Sequence, residues 1–338
     1  MRIVKIKKQP YMTSSLMWVE VAGIAEQLEA IQMRLSQDKN LTLLRRFQLF
    51  FFITVFLMTM GRGAFAENTL LRVEYFPSVV KQGDVCFIKA SGLTSLKSIY
   101  GEFRGEKFPM AFGARNGTYE GLLGIDRNTP PAIYEIKIVA IDGSQSVYSS
   151  ALLLKVEKVN FGTQNLSLPP SMVDLDPKTL ERVNKEARRL TELFQGFRDE
   201  RLWRGAFIRP VPGELTVAFG LGRIINGQHR SPHTGVDIRA EEGTPVLACN
   251  NGVVVLVDQL FFPGKSVILD HGWGIYSMYF HLLEALGGEG DRISRGAVLG
   301  RVGSTGRSTG SHLHWGVRMN GAQVNPLSLL GLTEHLRE

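Results

Sequence analysis

Apolar and polar positions along the chain divide it into stretches of different character. From Thr69 to Val159, runs such as DVCFIKA, YEIKIVAI and SSALLLKVEKV are separated by the turn-rich ARNGTYEG, DRNTPP and DGSQS. Strand-like runs at a spacing of roughly 8–12 residues, with no helical period, predict a small immunoglobulin-like β-sandwich over residues 67–160. A polar, proline-bearing linker follows, NFGTQNLSLPPSMVDLD. A helix then opens at Asp176, a good N-cap before Pro177 in the first turn. Leu180, Val183, Ala187, Leu190, Phe194 and Phe197 recur at steps of three and four, an apolar stripe for packing on a neighbouring domain. Linker and helix together occupy residues 161–200. From residue 201 to 338 the pattern changes again, to glycine-divided β runs such as GTPVLACNNGVVVLV and KSVILDHGWGIYSMYFHL.

One late run, STGSHLHWGV, carries a period of two. Leu313, Trp315 and Val317 share one face, and His312, His314 and Gly316 share the other. The apolar set suits a core, so both imidazoles are expected on the opposite face. All seven histidines fall between His229 and His335. Metal-ligand chemistry is therefore concentrated in the last domain.

Composition changes this picture in three places. A hydrophobic content of 44% with 21% charged residues describes a globular chain with ample core. The net charge of +7 raises nucleic acid as a partner, but residues 1–66 hold nine basic and four acidic side chains, against 30 and 28 in the rest. Most of the basicity sits in that leader, and no nucleic-acid partner is expected. Within it, Arg45 and Arg46 precede FQLFFFITVFLMTM, and Ala64 and Ala66 follow in the A-x-A pattern. That reads as a cleavable signal peptide, with an uncleaved membrane anchor as the alternative and Met33 as an alternative start. The apolar run, about 14 residues long, is short for a span of ~20. Export to the periplasm or cell envelope follows. Cys86 and Cys249 lie in apolar runs of different domains and are expected as two buried free thiols rather than a bridge.

Catalytic zinc takes three nitrogen or carboxylate ligands and keeps a fourth position open. His233 and Asp237, four apart across a glycine-containing turn in HTGVD, can converge on one ion, with His314 as the third ligand. His281 in YFHL and His312 are then left beside the metal to handle protons. No H-E-x-x-H helix is present, so a thermolysin-type base is excluded.

These residues, with FGLGR (Phe219 to Arg223), HTGVDI, GTPVLACNNGVV, VILDHGWGIYSMYFHL, GDRISRGAVLGRVGSTGRSTGSHLHWGV and VNPLSLL, give the last domain its resemblance. It resembles the lysostaphin/LytM family of zinc metallopeptidases, which cut cross-linking peptides of bacterial cell walls. The resemblance implies an antiparallel β-fold with Zn2+ in an open groove, held by His233, Asp237 and His314. It also implies His281 and His312 as the catalytic pair, without dividing base from stabiliser between them. Two departures stand out. Ser311 takes the place of a frequent proline, and NGQHRSP offers no tyrosine before the first ligand. His229 is expected as an exposed loop residue, His271 as structural at a turn, and His335 in a frayed tail.

The chain as a whole is thus expected to be mainly β and to hydrolyse peptidoglycan cross-links, favouring D-amino-acid bonds over glycine bridges. Other cell-wall enzymes are candidate partners of the β-sandwich. The rival within the family is a non-catalytic wall-binding member that activates another hydrolase, a class that typically lacks one of the five positions filled here. A biotinyl- or lipoyl-type carrier shares the strand rhythm but needs a displayed lysine midway, and none occurs there.

Overall fold

The computed structural model describes residues 71–113, 117–170 and 173–335. The leader, with Arg45, Arg46, Ala64 and Ala66, lies outside the described residues. Among the described residues the chain is mainly β with two helices, and no helix is long and apolar enough to cross a membrane.

The first eight strands are β1 (Arg72–Phe76), β2 (Val80–Lys81), β3 (Val85–Ser91), β4 (Leu96–Phe103), β5 (Glu106–Phe112), β6 (Tyr119–Gly124), β7 (Ala132–Asp142) and β8 (Val147–Glu157). They form one hydrogen-bonded path, β1-β3-β6-β5-β4-β7-β8-β2, antiparallel except for β2 with β8. β5 joins its halves, bonding β4 through Glu106–Pro109 and β6 through Met110–Phe112. Both halves fill one core, with Cys86 and Ile88 of β3 packed among Ile136, Ile138 and Leu154. The all-β expectation for this part stands at that level.

Strand alternation docks this part onto the next. Cys86 points into the first core, so Val85 beside it points away, and Val85 lies in a second apolar core together with Leu122. The contact is also hydrogen-bonded. Val85 N donates to Ser328 Oγ at 3.0 Å, Asn325 N to the Gly83 carbonyl at 2.7 Å, and Gln323 N to Asp126 Oδ2 at 2.8 Å.

The linker contains a strand that its sequence does not announce. β9 (Thr163–Leu166) is short and polar, yet it adds in parallel to β11 (described below). Helix α1 (Pro177–Gln195) begins as expected, with Asp176 Oδ1 accepting from Lys178 N and Thr179 N. Its stripe needs correcting. Leu190, Leu193 and Phe194 pack on Leu256, Leu260, Ile268, Tyr276 and Met278, but Ala187 is exposed and Leu180 is 48% exposed. Gly196 leaves helical geometry at ψ 140, so Phe197 falls beyond the helix and is 59% exposed. Packing on this core is confined to the last turns of α1.

The remaining strands are β10 (Glu214–Val217), β11 (Gly222–Ile225), β12 (Gln228–Arg230), β13 (Gly235–Arg239), β14 (Pro245–Leu247), β15 (Gly252–Leu260), β16 (Gly264–Asp270), β17 (Ile275–Ala285), β18 (Arg292–Ile293), β19 (Val298–Val302), β20 (His312–Met319) and β21 (Ala322–Val324). Helix α2 (Pro326–His335) follows, so the chain is helical through His335 where a frayed tail was expected. The main sheet runs β10-β13-β20-β17-β16-β15-β18, with β14, β19 and β21 attached at its margins. Neighbouring strands on this path are antiparallel, so residues on facing strands meet side by side across the sheet. Leu313, Trp315 and Val317 are fully buried, as the period-two reading expects. A separate sheet, β12-β11-β9, stands beside it.

Candidate active site

The central pair β13 and β20 brings the first residues of the site together. In their antiparallel register Asp237 is the direct partner of His314. Directly opposed residues in such a pair put both side chains on one face within contact distance. His233 lies two residues before β13 and reaches the same point. Gly235 does not form the expected turn. It is the first residue of β13, and the absence of a side chain leaves room for the His314 ring, whose Nε2 would sit 2.7 Å from a Cβ at that position.

His233 Nε2, Asp237 Oδ1 and His314 Nδ1 form a triangle with edges of 2.8, 2.9 and 2.8 Å, and all three residues are buried. The tautomer of His233 follows from its other nitrogen. Nδ1 lies 2.9 Å from the Ala218 carbonyl, which can only accept, so Nδ1 carries the proton and neutral His233 directs its Nε2 lone pair inward. Two nitrogens and a carboxylate oxygen thus converge on one point, an arrangement that calls for a proton or a cation between them. Ligand atoms around a tetrahedral zinc stand about 3.3 Å apart, so a modest opening of this triangle would admit the ion. The donor set is one that zinc accepts. Burial pushes the Asp237 carboxyl upward, but its close contacts with the imidazoles of His233 and His314 outweigh it and hold the group well below the usual carboxylate range. Burial pushes His314 down to about 4, against the opposing effect of its contact with the Asp237 carboxylate.

His281 and His312 stand beside this triangle, their ring centroids 4.8 Å apart. His312 Nε2 lies 3.9 Å from Asp237 Oδ1. His281 Nδ1 lies 2.8 Å from the Thr305 carbonyl and His312 Nδ1 lies 2.8 Å from that of Gly310. Each Nδ1 therefore donates, and each neutral ring keeps an accepting Nε2. His281 occupies a left-handed backbone conformation, φ 64, where β17 changes partner from β20 to β19. Such a conformation in a non-glycine residue is costly and is held by its surroundings, here in part by the bond from His281 N to the Pro263 carbonyl. Burial pushes His281 down to about 3, reinforced by the neighbouring His314 and His312.

The other histidines separate from the site. His229 is exposed, though on β12 rather than in a loop. His271 is fully buried, bonded to the Asn251 carbonyl and to Ser277 Oγ at 2.6 and 2.7 Å. Cys86 and Cys249 are both buried and free.

Several contributors are not legible as ligands or bases. Phe280 stacks on His314 at 5.5 Å with an interplanar angle of 5°, and the carbonyls of Ala218, Thr305 and Gly310 set three tautomers. The site opens into a groove of about 660 Å³, also lined by Leu166, Leu168 and Val183 from the linker and α1 and by Arg223, Arg230 and Arg307. Of these arginines, Arg223 lies in the FGLGR motif, the one signal in the sequence that touches this part of the groove.

Comparison with known proteins agrees with this geometry. DD-carboxypeptidase/endopeptidase Mpg of Neisseria meningitidis serogroup B is 42% identical over 106 residues, 31% of this chain and 24% of that protein. Peptidoglycan DD-endopeptidase ShyA of Vibrio cholerae is 38% identical over 97 residues, 29% of this chain and 23% of that one. The match thus spans about a quarter of the length of these curated relatives. The crystal structure of a candidate M23 peptidase from Pseudomonas aeruginosa superposes with a TM-score of 0.59 at 27% identity, covering 74% of this chain and 94% of that one. That likeness reaches well beyond the peptidase region. Residues 231–326 match peptidase family M23, and the last domain of this chain is an M23 peptidase domain.

Proposed function

We propose that this chain is a zinc-dependent endopeptidase that hydrolyses cross-linking peptides of bacterial peptidoglycan, and that it works in the cell envelope after export. One observation carries the reading. Three buried ligand atoms lie within 2.9 Å of one another, with two histidines beside them whose tautomers leave Nε2 free to accept a proton. The name of one relative over the matched region, peptidoglycan DD-endopeptidase ShyA, supports the substrate, and that of DD-carboxypeptidase/endopeptidase Mpg supports the peptidase chemistry.

His233, Asp237 and His314 would hold the metal. When bound, zinc supplies Lewis acidity, polarising a water and the scissile carbonyl and drawing the water's pKa towards about 7. His281 and His312 divide the two proton transfers of amide hydrolysis, one taking the proton of the attacking water and the other serving the leaving amine. The bonds to the Thr305 and Gly310 carbonyls hold both rings in orientation. The stacked Phe280 ring limits how far His314 can swing away from Asp237. In this reading residues 67–160 are an immunoglobulin-like sandwich that places the groove against the wall and offers a surface to other cell-wall enzymes.

The full chain, loaded with zinc and incubated with cross-linked muropeptide dimers, should release monomers, and the His314→Ala variant should lose both zinc and turnover. Retention of both by that variant would remove the basis of the assignment. Capture of intact dimers without cleavage would favour the wall-binding activator.

A further inference from the structure

Three arginines line the groove beside the metal cluster. Arg223 on β11 and Arg230 on β12 are direct cross-strand partners, and Arg307 precedes β20 with its guanidinium 4.0 Å from the centre of the Phe262 ring. Like charges placed directly opposite one another across a strand pair are destabilising. Here the repulsion reaches the third member, since Arg307 is held below its ordinary pKa first by burial and then by Arg223 and Arg230.

Several arginines elsewhere pair with carboxylates, as in Arg182–Glu186, Arg198–Asp270 and Arg301–Glu284. Among the described residues none of the three groove arginines has a carboxylate within 4 Å. Arg230 finds only the neutral Gln228 Oε1 at 2.7 Å and the Val173 carbonyl at 3.5 Å. Arg223 keeps a buried Nε with no hydrogen-bond partner. A buried N–H without a partner is costly, while Arg230 is exposed and Arg223 and Arg307 are partly buried. The neighbouring acid, Asp237, is already held by His233 and His314. Leu166, Leu168 and Val183 also line the groove, an apolar surface that suits the alkyl part of a peptide rather than a phosphodiester chain.

We infer that Arg223, Arg230 and Arg307 form a carboxylate-binding subsite, so that the cross-link cut here carries a free carboxylate close to the scissile bond. The inference rests on the peptidase reading and specifies its substrate. A guanidinium fork matches a carboxylate in charge and geometry. The carboxylate has two chemical sources in a cross-linked peptide, the terminal α-carboxylate and the side-chain carboxylate of a diamino acid.

Three synthetic cross-linked dimers distinguish them: one with both carboxylates free, one amidated at the terminus, and one amidated on the diamino acid. With the zinc-loaded full chain, one of the two amidations should lower kcat/KM by about 10- to 100-fold, mainly through KM, and the sensitive position identifies the source. Arg307→Gln and Arg230→Gln should bring the ratio of free to amidated dimer towards unity, with zinc content showing that the metal cluster is intact. Equal hydrolysis of all three dimers by the wild type, or a ratio that persists in both variants, overturns the inference. If no dimer is hydrolysed, the peptidase reading fails by itself. Binding of the same dimers then decides the subsite: tighter binding of the free dimer that both variants abolish supports it, and equal binding overturns it.

Discussion

Gly235→Ala perturbs the geometry of the metal triangle without replacing a ligand. Gly235 lies in β13 outside the left-handed region, so alanine is conformationally acceptable and the effect comes from space alone. A Cβ there would stand 2.4 Å from the Trp315 carbonyl oxygen and 2.7 Å from His314 Nε2. The carbonyl belongs to the partner strand β20, and the imidazole is confined by Phe280 at 5.5 Å on one face and by Asp237 at 2.8 Å. Relief requires the two strands to part or His314 to tilt. Overpacking of this kind costs about 1–3 kcal/mol. Disturbing the support of a ligand typically costs about 10–100-fold in metal affinity. Denaturant melts of the metal-free protein measure the first quantity, and competition with a chromogenic zinc chelator measures the second. Gly331→Ala is the control, since a Cβ there meets nothing within 4 Å and the residue lies in α2. Wild-type stability and wild-type zinc affinity in Gly235→Ala would refute the packing argument.

Other residues give independent tests. His312→Ala should retain zinc but lose about 10²–10⁴-fold in turnover, and a steady-state assay showing unchanged turnover would remove His312 from the proton transfers. Burial pushes Cys86 up to about 12 and Cys249 up to about 11. Neither thiol should then react with a disulfide reagent at pH 8 until the protein unfolds, and rapid labelling of the native protein would contradict this. Burial pushes His271 down to about 4, whereas an unfolded histidine titrates near ~6.5. Between those values the unfolded state binds more protons, so the His271 contribution is complete above about pH 6.5 and shrinks by up to about 3 kcal/mol as pH falls to about 4. In denaturant titrations His271→Gln should flatten that slope, and an identical slope would assign it elsewhere.

How far the sequence speaks depends on whether a signal is local. The alternation in Leu313, Trp315 and Val317 is local, and these residues fill the core as expected. The N-cap at Asp176 is local too. The spacing of His233 and Asp237 is visible, but the role of Gly235 between them is not, because it depends on a ring arriving from β20. For the same reason β9 escapes notice. Its four residues have no pattern of their own and are strand only because the edge of β11 accepts them. The apolar stripe of α1 is overread because periodicity says which side chains share a face and not how much of that face meets a surface. The apolar link between the two cores includes Val85, whose direction away from the first core emerges only once Cys86 is known to point inward. The arginine cluster is the clearest case. Arg223 and Arg230 meet across the β11–β12 pair, but Arg307 comes from far along the chain and joins them only in the folded groove.

The most direct test of the central claim is mass spectrometry of the products from defined cross-linked peptidoglycan treated with the full chain, with and without a zinc chelator. Zinc hydrolysis at the His233–Asp237–His314 centre predicts that each cross-linked dimer lost gains one water as it splits into two monomers, that the chelator stops this, and that added zinc restores it. Dimers that persist with zinc bound, or cleavage that continues after the metal is removed, would contradict it.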